Sequence, residues 1–191
     1  MNPLLTSYQT PFQIPPFEDI KFSHYGPAFE IGMKEHLEDI ERITSQTEAP
    51  TFENTIVQLE RIGVTLDKVS NVFFNLLGSN TNDDMDKLAV KISPQLSAHG
   101  DSILLNKDLF QRVQAVYLSK DTLELNTEQK RLLDETYKRF VRSGANLDEE
   151  GMIKLTEINQ KLSSLSVNFD QNVLKETNGY SLIIENEEKL T

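Results

Sequence analysis

The chain alternates stretches of helical periodicity with short polar breaks. From Pro27, apolar residues recur at Phe29, Met33, Leu37, Ile40 and Ile43, three or four positions apart, which predicts one buried helix face. Pro27 suits a first helical turn, and Glu48-Ala49-Pro50 ends the segment. Thr51 is then placed to cap a second helix, whose stripe Phe52, Ile56, Leu59, Ile62, Leu66, Val69, Phe73 and Leu76 predicts about seven turns. Gly63 inside that stripe weakens the helix by about 1 kcal/mol relative to Ala, and it marks a bend or a close helix approach.

Gly78 offers a stop, and Thr81 with Asp84 has capping-box spacing for a third helix through Leu88, Ile92, Leu96 and Ile103. Pro94 is expected to kink or divide that helix. A shorter amphipathic segment covers Leu109 to Tyr117. Asn126 and Gln129 start another helix, reaching Arg142 and ending at Gly144. Asp148 is the expected N-cap of the last long helix, striped by Leu155, Ile158, Leu162, Leu165, Phe169 and Val173. That stripe and the one over residues 52 to 76 are long enough to pair. After Asn178-Gly179, the run Tyr180-Ser181-Leu182-Ile183-Ile184 reads as a short β-like segment.

Ahead of the helices, Pro3, Pro11, Pro15 and Pro16 interleave with Tyr8, Phe12, Phe17 and Phe22. Proline removes backbone donors and blocks helix interiors, so this arm should be extended. Its aromatics predict that it packs with its rings buried. The expected fold is therefore all-α: an irregular helical bundle of long antiparallel helices, with an extended N-terminal arm (1–22), a helical domain (23–179) and a short β-like end (180–191). No repeat of 20 to 50 residues and no low-complexity segment is found.

At 191 residues the chain can bury a substantial core. Its 19 Lys and Arg against 30 Asp and Glu give a formal charge of -11, which disfavours a nucleic-acid partner. No apolar run reaches membrane-spanning length. The first residues carry no signal-peptide pattern, and the compartment is left open between cytoplasm and periplasm. With no Cys, disulfides, thiolate metal sites and cysteine nucleophiles are excluded.

A zinc peptidase needs two His one turn apart beside a Glu. The histidines here are His24, His36 and His99, with none close to another in sequence, and each reads as a surface or helix-end residue. Asn80-Thr81-Asn82-Asp83-Asp84 resembles a calcium loop only briefly, since Met85 and Lys91 stand where Gly and Glu are needed. Asp148-Glu149-Glu150 reads as carboxylates at a helix N-terminus. Neither a phosphate loop nor a nucleophile elbow occurs. The tyrosines Tyr8, Tyr25, Tyr117, Tyr137 and Tyr180 read as packing residues. No catalytic or metal-binding residue is assigned, and any substrate-binding residue is left unassigned.

Several unbroken stretches carry a family resemblance. They are N-P-L-L, P-P-F-E-D-I, H-Y-G-P-A-F-E-I-G-M, A-P-T-F-E-N-T-I-V-Q-L-E-R-I-G, V-F-F-N-L-L-G-S-N-T-N-D-D-M, E-T-Y-K-R-F-V-R-S-G-A-N-L and I-N-Q-K-L-S-S-L-S-V-N-F-D-Q-N-V-L-K-E-T-N. In this order they resemble the N-terminal region of bacterial peptidyl-dipeptidases (dipeptidyl carboxypeptidases) in the thimet oligopeptidase and oligopeptidase A family of zinc metallopeptidases. The resemblance covers essentially the whole chain but only the first quarter to third of a complete member. It implies a mostly helical piece of channel wall, in a parent enzyme that uses zinc to release C-terminal dipeptides from short peptides. The parent's H-E-x-x-H motif has no counterpart here, so His24 and Glu35 receive no catalytic role and the chain alone is expected to be inactive.

The implied partner is the remaining catalytic region, and apolar surface is expected to be exposed without it, which a dimer could cover. The alternative is a free-standing helical interaction module without enzymatic activity.

Overall fold

The computed structural model describes residues 1–183. Ile184 and the charged stretch after it lie outside the described residues. Tyr180 to Ile183, within the run expected to be β-like, form no strand, and the described residues are helical with no sheet.

Helix α1 spans Tyr25–Thr44. Its inward face is Tyr25, Ala28, Phe29, Gly32, Ile40 and Ile43, while Leu37 stays exposed, so the buried stripe is turned from the expected one. Gly32 decides this rotation. A Cβ there would stand 3.0 Å from the Leu66 Cα, so only glycine lets the two backbones approach this closely.

The expected seven-turn second helix is two pieces. A π-helical turn over Phe52–Val57 runs into the short α2, Gln58–Arg61. Thr51 caps it as expected: its Oγ1 accepts from the Asn54 N–H at 3.1 Å, while its own N–H donates to Asn54 Oδ1 at 2.8 Å. The chain then leaves helical geometry at Ile62 and turns through Gly63 at φ +77° before α3, Val64–Ser79. The apolar periodicity continues across this break because both pieces face the core, but periodicity does not report the backbone angle between them.

Helix α4, Asp83–Leu104, starts one residue away from the expected cap. Asn82 Oδ1 accepts from the N–H groups of Asp84 and Met85, and the Thr81 hydroxyl donates instead to Asp86 Oδ1. Pro94 does not divide α4. Helix α5, Lys107–Leu118, follows an Asn106 cap. Helix α6, Thr127–Arg142, opens with the expected reciprocal Asn126–Gln129 box, and Gly144 leaves its end at φ +93°. Helix α7, Glu149–Gly179, is capped by Asp148, whose Oδ1 accepts from the Gly151 N–H at 2.8 Å.

Two apolar clusters result. One joins Leu4, Tyr25, Phe29, Val69, Phe73 and Ala89, from the arm, the start of α1, α3 and the start of α4. The other joins Ile43, Ile56, Ile103, Val113, Leu133 and Phe140, from the end of α1, the π-turn, the end of α4, α5 and α6. Helices α1 and α4 run through both.

The stripe of α3 packs on α1, with Phe73 edge-on to Tyr25 and Phe29 at ring centroid distances of 5.1 and 5.4 Å. Helix α7 lies along α4 instead of pairing with this stripe. The arm is tied down near its start. Leu4 is fully buried, Asn2 Nδ2 donates to the His24 carbonyl at 2.8 Å, and Lys68 Nζ donates to the Thr6 carbonyl at 3.0 Å. Of its rings only Tyr8 is half-buried; Phe12, Phe17 and Phe22 are exposed, contrary to the expectation that they pack. Phe12 and Gln13 hold positive φ in a 3-10 turn there, a strained geometry for side-chain-bearing residues.

Candidate functional site

Two features stand out from the packed core. The first is a histidine pair. His36 lies midway along α1 and His99 in the last third of α4, between the two apolar clusters. The fold brings His36 Nδ1 and His99 Nε2 to 3.1 Å, with one N–H donating to the other ring's lone pair. Sequence spacing treated both as surface or helix-end residues; His36 is instead half-buried and His99 buried, partners 63 positions apart. The contact forms because α1 and α4 cross here and because Gly63 has no side chain. A Cβ on Gly63 would sit 3.0 Å from the His36 ring.

The pair borders a cavity of ≈ 370 Å³ that also receives Glu60, Asp67, Thr136 and Arg139. Burial lowers the pKa of both imidazoles. On His36, Asp67 and Asp39 oppose this and Arg139 adds to it, while His36 itself lowers His99 further. Burial outweighs the carboxylates, so both rings are held neutral.

Neutral imidazoles are the form that binds metal, but each ring here already faces the other. Among the described residues no three His, Asp or Glu side chains gather as a metal ion needs. The residues present do not fit a zinc centre. His24 does not join the pair: its Nδ1 accepts from the Lys21 N–H at 3.0 Å at the start of α1. Glu35 is exposed.

The second feature is the outer face of α7. No residue of this helix is buried. Its inner side mixes Thr156, Ser163 and Ser164 with the half-buried Met152, Leu155, Val167 and Leu174, of which Val167 packs on the first apolar cluster, and two hydrogen bonds fix it on α4. Asn159 Nδ2 donates to Asp101 Oδ1 at 2.9 Å, and Gln171 Nε2 donates to the Asp86 carbonyl at 3.0 Å, so the helices run antiparallel. Burial raises the Asp101 pKa, and the Asn159 bond lowers it in part. Of the stripe expected to pair, Leu155 is half-buried, while Ile158, Leu162, Leu165, Phe169 and Val173 are 48 to 67% exposed. Toward the C-terminal half it opens into a groove of ≈ 500 Å³ with Phe74 and Leu77 of α3 on its other wall.

Elsewhere the polar groups of interest have structural partners. Arg112 is buried and donates to the carbonyls of Gln46 and Glu48 and to Gln46 Oε1 and Asn54 Oδ1, which fixes the loop after α1. Tyr117 and Tyr137 stack at 3.9 Å under Lys120, Tyr25 is in the core and Tyr8 lies under Lys68. Tyr180 is exposed.

The chain is 38% identical to a dipeptidyl carboxypeptidase of Salmonella typhimurium over 96% of its own length, and 35% identical to that of Escherichia coli over the same share. Oligopeptidase A of Escherichia coli is 27% identical over 99% of it. The chain is a homologue of these peptidases. It spans about a quarter of their length, 27% of each. No protein-family model matches it. Identity of this extent over an unbroken, nearly complete stretch accounts for the ordered family motifs. The homologues are peptidases, and the matched portion is an all-α piece in which neither the histidine pair nor the exposed α7 stripe was legible as such from the sequence.

Proposed function

We propose that this chain is the N-terminal helical part of a zinc-dependent peptidyl-dipeptidase, a channel-wall scaffold whose zinc ligands and catalytic groups lie in further polypeptide. The carrying observation is the match over 96% of this chain to 27% of the peptidase relatives. In this reading residues 1–22 form an arm, 23–179 the helical scaffold domain and 180–191 a short segment at the end of the chain. The parent would take short peptides and bind zinc outside these residues. Among the described residues no side-chain cluster fits the metal.

The test is to assay the purified 191-residue chain, with zinc supplied, for dipeptide release from short peptides. No activity is expected. Release abolished by chelation and reproduced across independent protease-free preparations would overturn the scaffold assignment.

A second reading, a free-standing interaction module, is favoured by the exposed α7 stripe alone. The native reading frame separates the two: an H-E-x-x-H motif downstream excludes the module, and a stop codon after Thr191 supports it.

A further inference from the structure

We infer that the outer face of α7, with the groove it shares with the end of α3, is the docking surface for a helix from the remaining polypeptide of a peptidase of this kind. The inference rests on the scaffold reading above and adds the residues that make the contact.

Along α7, Ile158, Leu162, Leu165, Phe169 and Val173 step by three and four residues, a seam matched to a helical partner. From Ile158 the seam runs 15 residues to Val173, about 22 Å at the rise of an α-helix. A contiguous apolar strip of this length is unusual on a surface that stays in water. The helix cannot roll it inward, because its opposite side is already bound to α4 through Asn159 and Gln171. Lys154, Glu157 and Lys161 alternate in sign beside the strip, which calls for a partner with a mixed-charge rim.

The shape argues for a partner unlike this chain. The apolar surface is one helix wide near Ile158 and Leu162, and it widens at Phe169 and Val173, where Phe74 and Leu77 join it. Antiparallel two-fold pairing with a second copy would lay the narrow half on the wide half and leave part of the groove uncovered. Each copy also carries a formal charge of -11. The relatives, in contrast, supply a large further polypeptide beside the matched portion, since that portion is 27% of their length.

The test is reassembly from two polypeptides. The 191-residue chain is mixed with the separately expressed part of the Salmonella typhimurium dipeptidyl carboxypeptidase that it does not match, and the mixture is examined by gel filtration with light scattering and by titration calorimetry. A one-to-one complex is expected, weakened by about 30-fold or more in the Leu162→Glu/Phe169→Glu double variant, as for two central hot-spot residues. Both side chains are exposed, and circular dichroism of the variant should match the parent chain. Absence of a complex, a complex indifferent to the double variant, or self-association of the chain alone that this variant abolishes would each overturn the docking assignment. Zinc-dependent peptidase activity of the mixture bears separately on the scaffold reading: an inactive complex that still depends on Leu162 and Phe169 sustains the docking surface while counting against the parent activity.

Discussion

Helices α1 and α3 meet through large apolar side chains and a glycine, whereas α4 and α7 meet through amides, hydroxyls and one carboxylate together with a few half-buried apolar residues such as Val167. At the first contact Phe29, Phe73 and Val69 are fully buried, and the backbones approach at Gly32. At the second, no α7 residue is buried, and a groove of ≈ 400 Å³ beside Ala98 and Met152 runs along the seam. The first contact is finished, with its apolar surface removed from water. The second only holds α7 in place, with its apolar surface still available to another element.

The contrast breaks most sharply at Phe73. Phe73→Ala should cost about 3–5 kcal/mol in urea unfolding, through lost burial and the cavity left behind. An equivalent truncation at Phe169 should cost far less, and equal losses at the two sites would contradict the contrast. Gly32→Ala comes next, at about 1–3 kcal/mol, since its methyl meets the Leu66 backbone instead of a side chain that can turn aside. Asn159→Ala should cost about 1 kcal/mol. Its signature is local: hydrogen exchange should accelerate along α7 while amides of α1 and α3 keep their protection.

A pH step should act more weakly and at the junction between the two clusters. Both histidines have native pKa values lowered from 6.5, so below about pH 6.5 the unfolded chain binds more protons than the folded one. Stability is therefore flat above that pH and falls as pH drops from 6.5 toward the lowered native values. Replacing both rings, in a His36→Gln/His99→Gln variant, should flatten that part of the profile measured by thermal unfolding. The smallest effect belongs to the exposed seam: Leu165→Gln should change stability by no more than about 0.5 kcal/mol, while lowering the binding of a hydrophobic dye.

The comparison also shows which patterns the sequence discloses. The caps at Thr51, Asn126 and Asp148 were legible because each depends on residues within three positions of one another. The stripes on α3 and α7 looked alike in the sequence, yet one is core and the other faces solvent. Periodicity identifies an apolar face but carries no information about which neighbour covers it. The candidate site was less legible still. His36 and His99 meet only because two helices cross at a glycine 27 residues from one and 36 from the other in the sequence. The exposed rings of Phe12, Phe17 and Phe22 were equally hidden, since composition cannot report how much of an arm lies on the body.

The sequence by itself determined the all-α class, most helix starts and stops, and the relation to peptidases, because these rest on local hydrogen bonding, on periodicity and on ordered motifs. Tertiary structure alone decided that Gly63 splits the second helix, that two distant histidines are hydrogen-bonded, and that α7 turns a mixed polar and apolar side to α4 and most of its apolar stripe to water. Those outcomes depend on which helix faces compete for the same neighbour, and that competition is settled only when the whole chain packs.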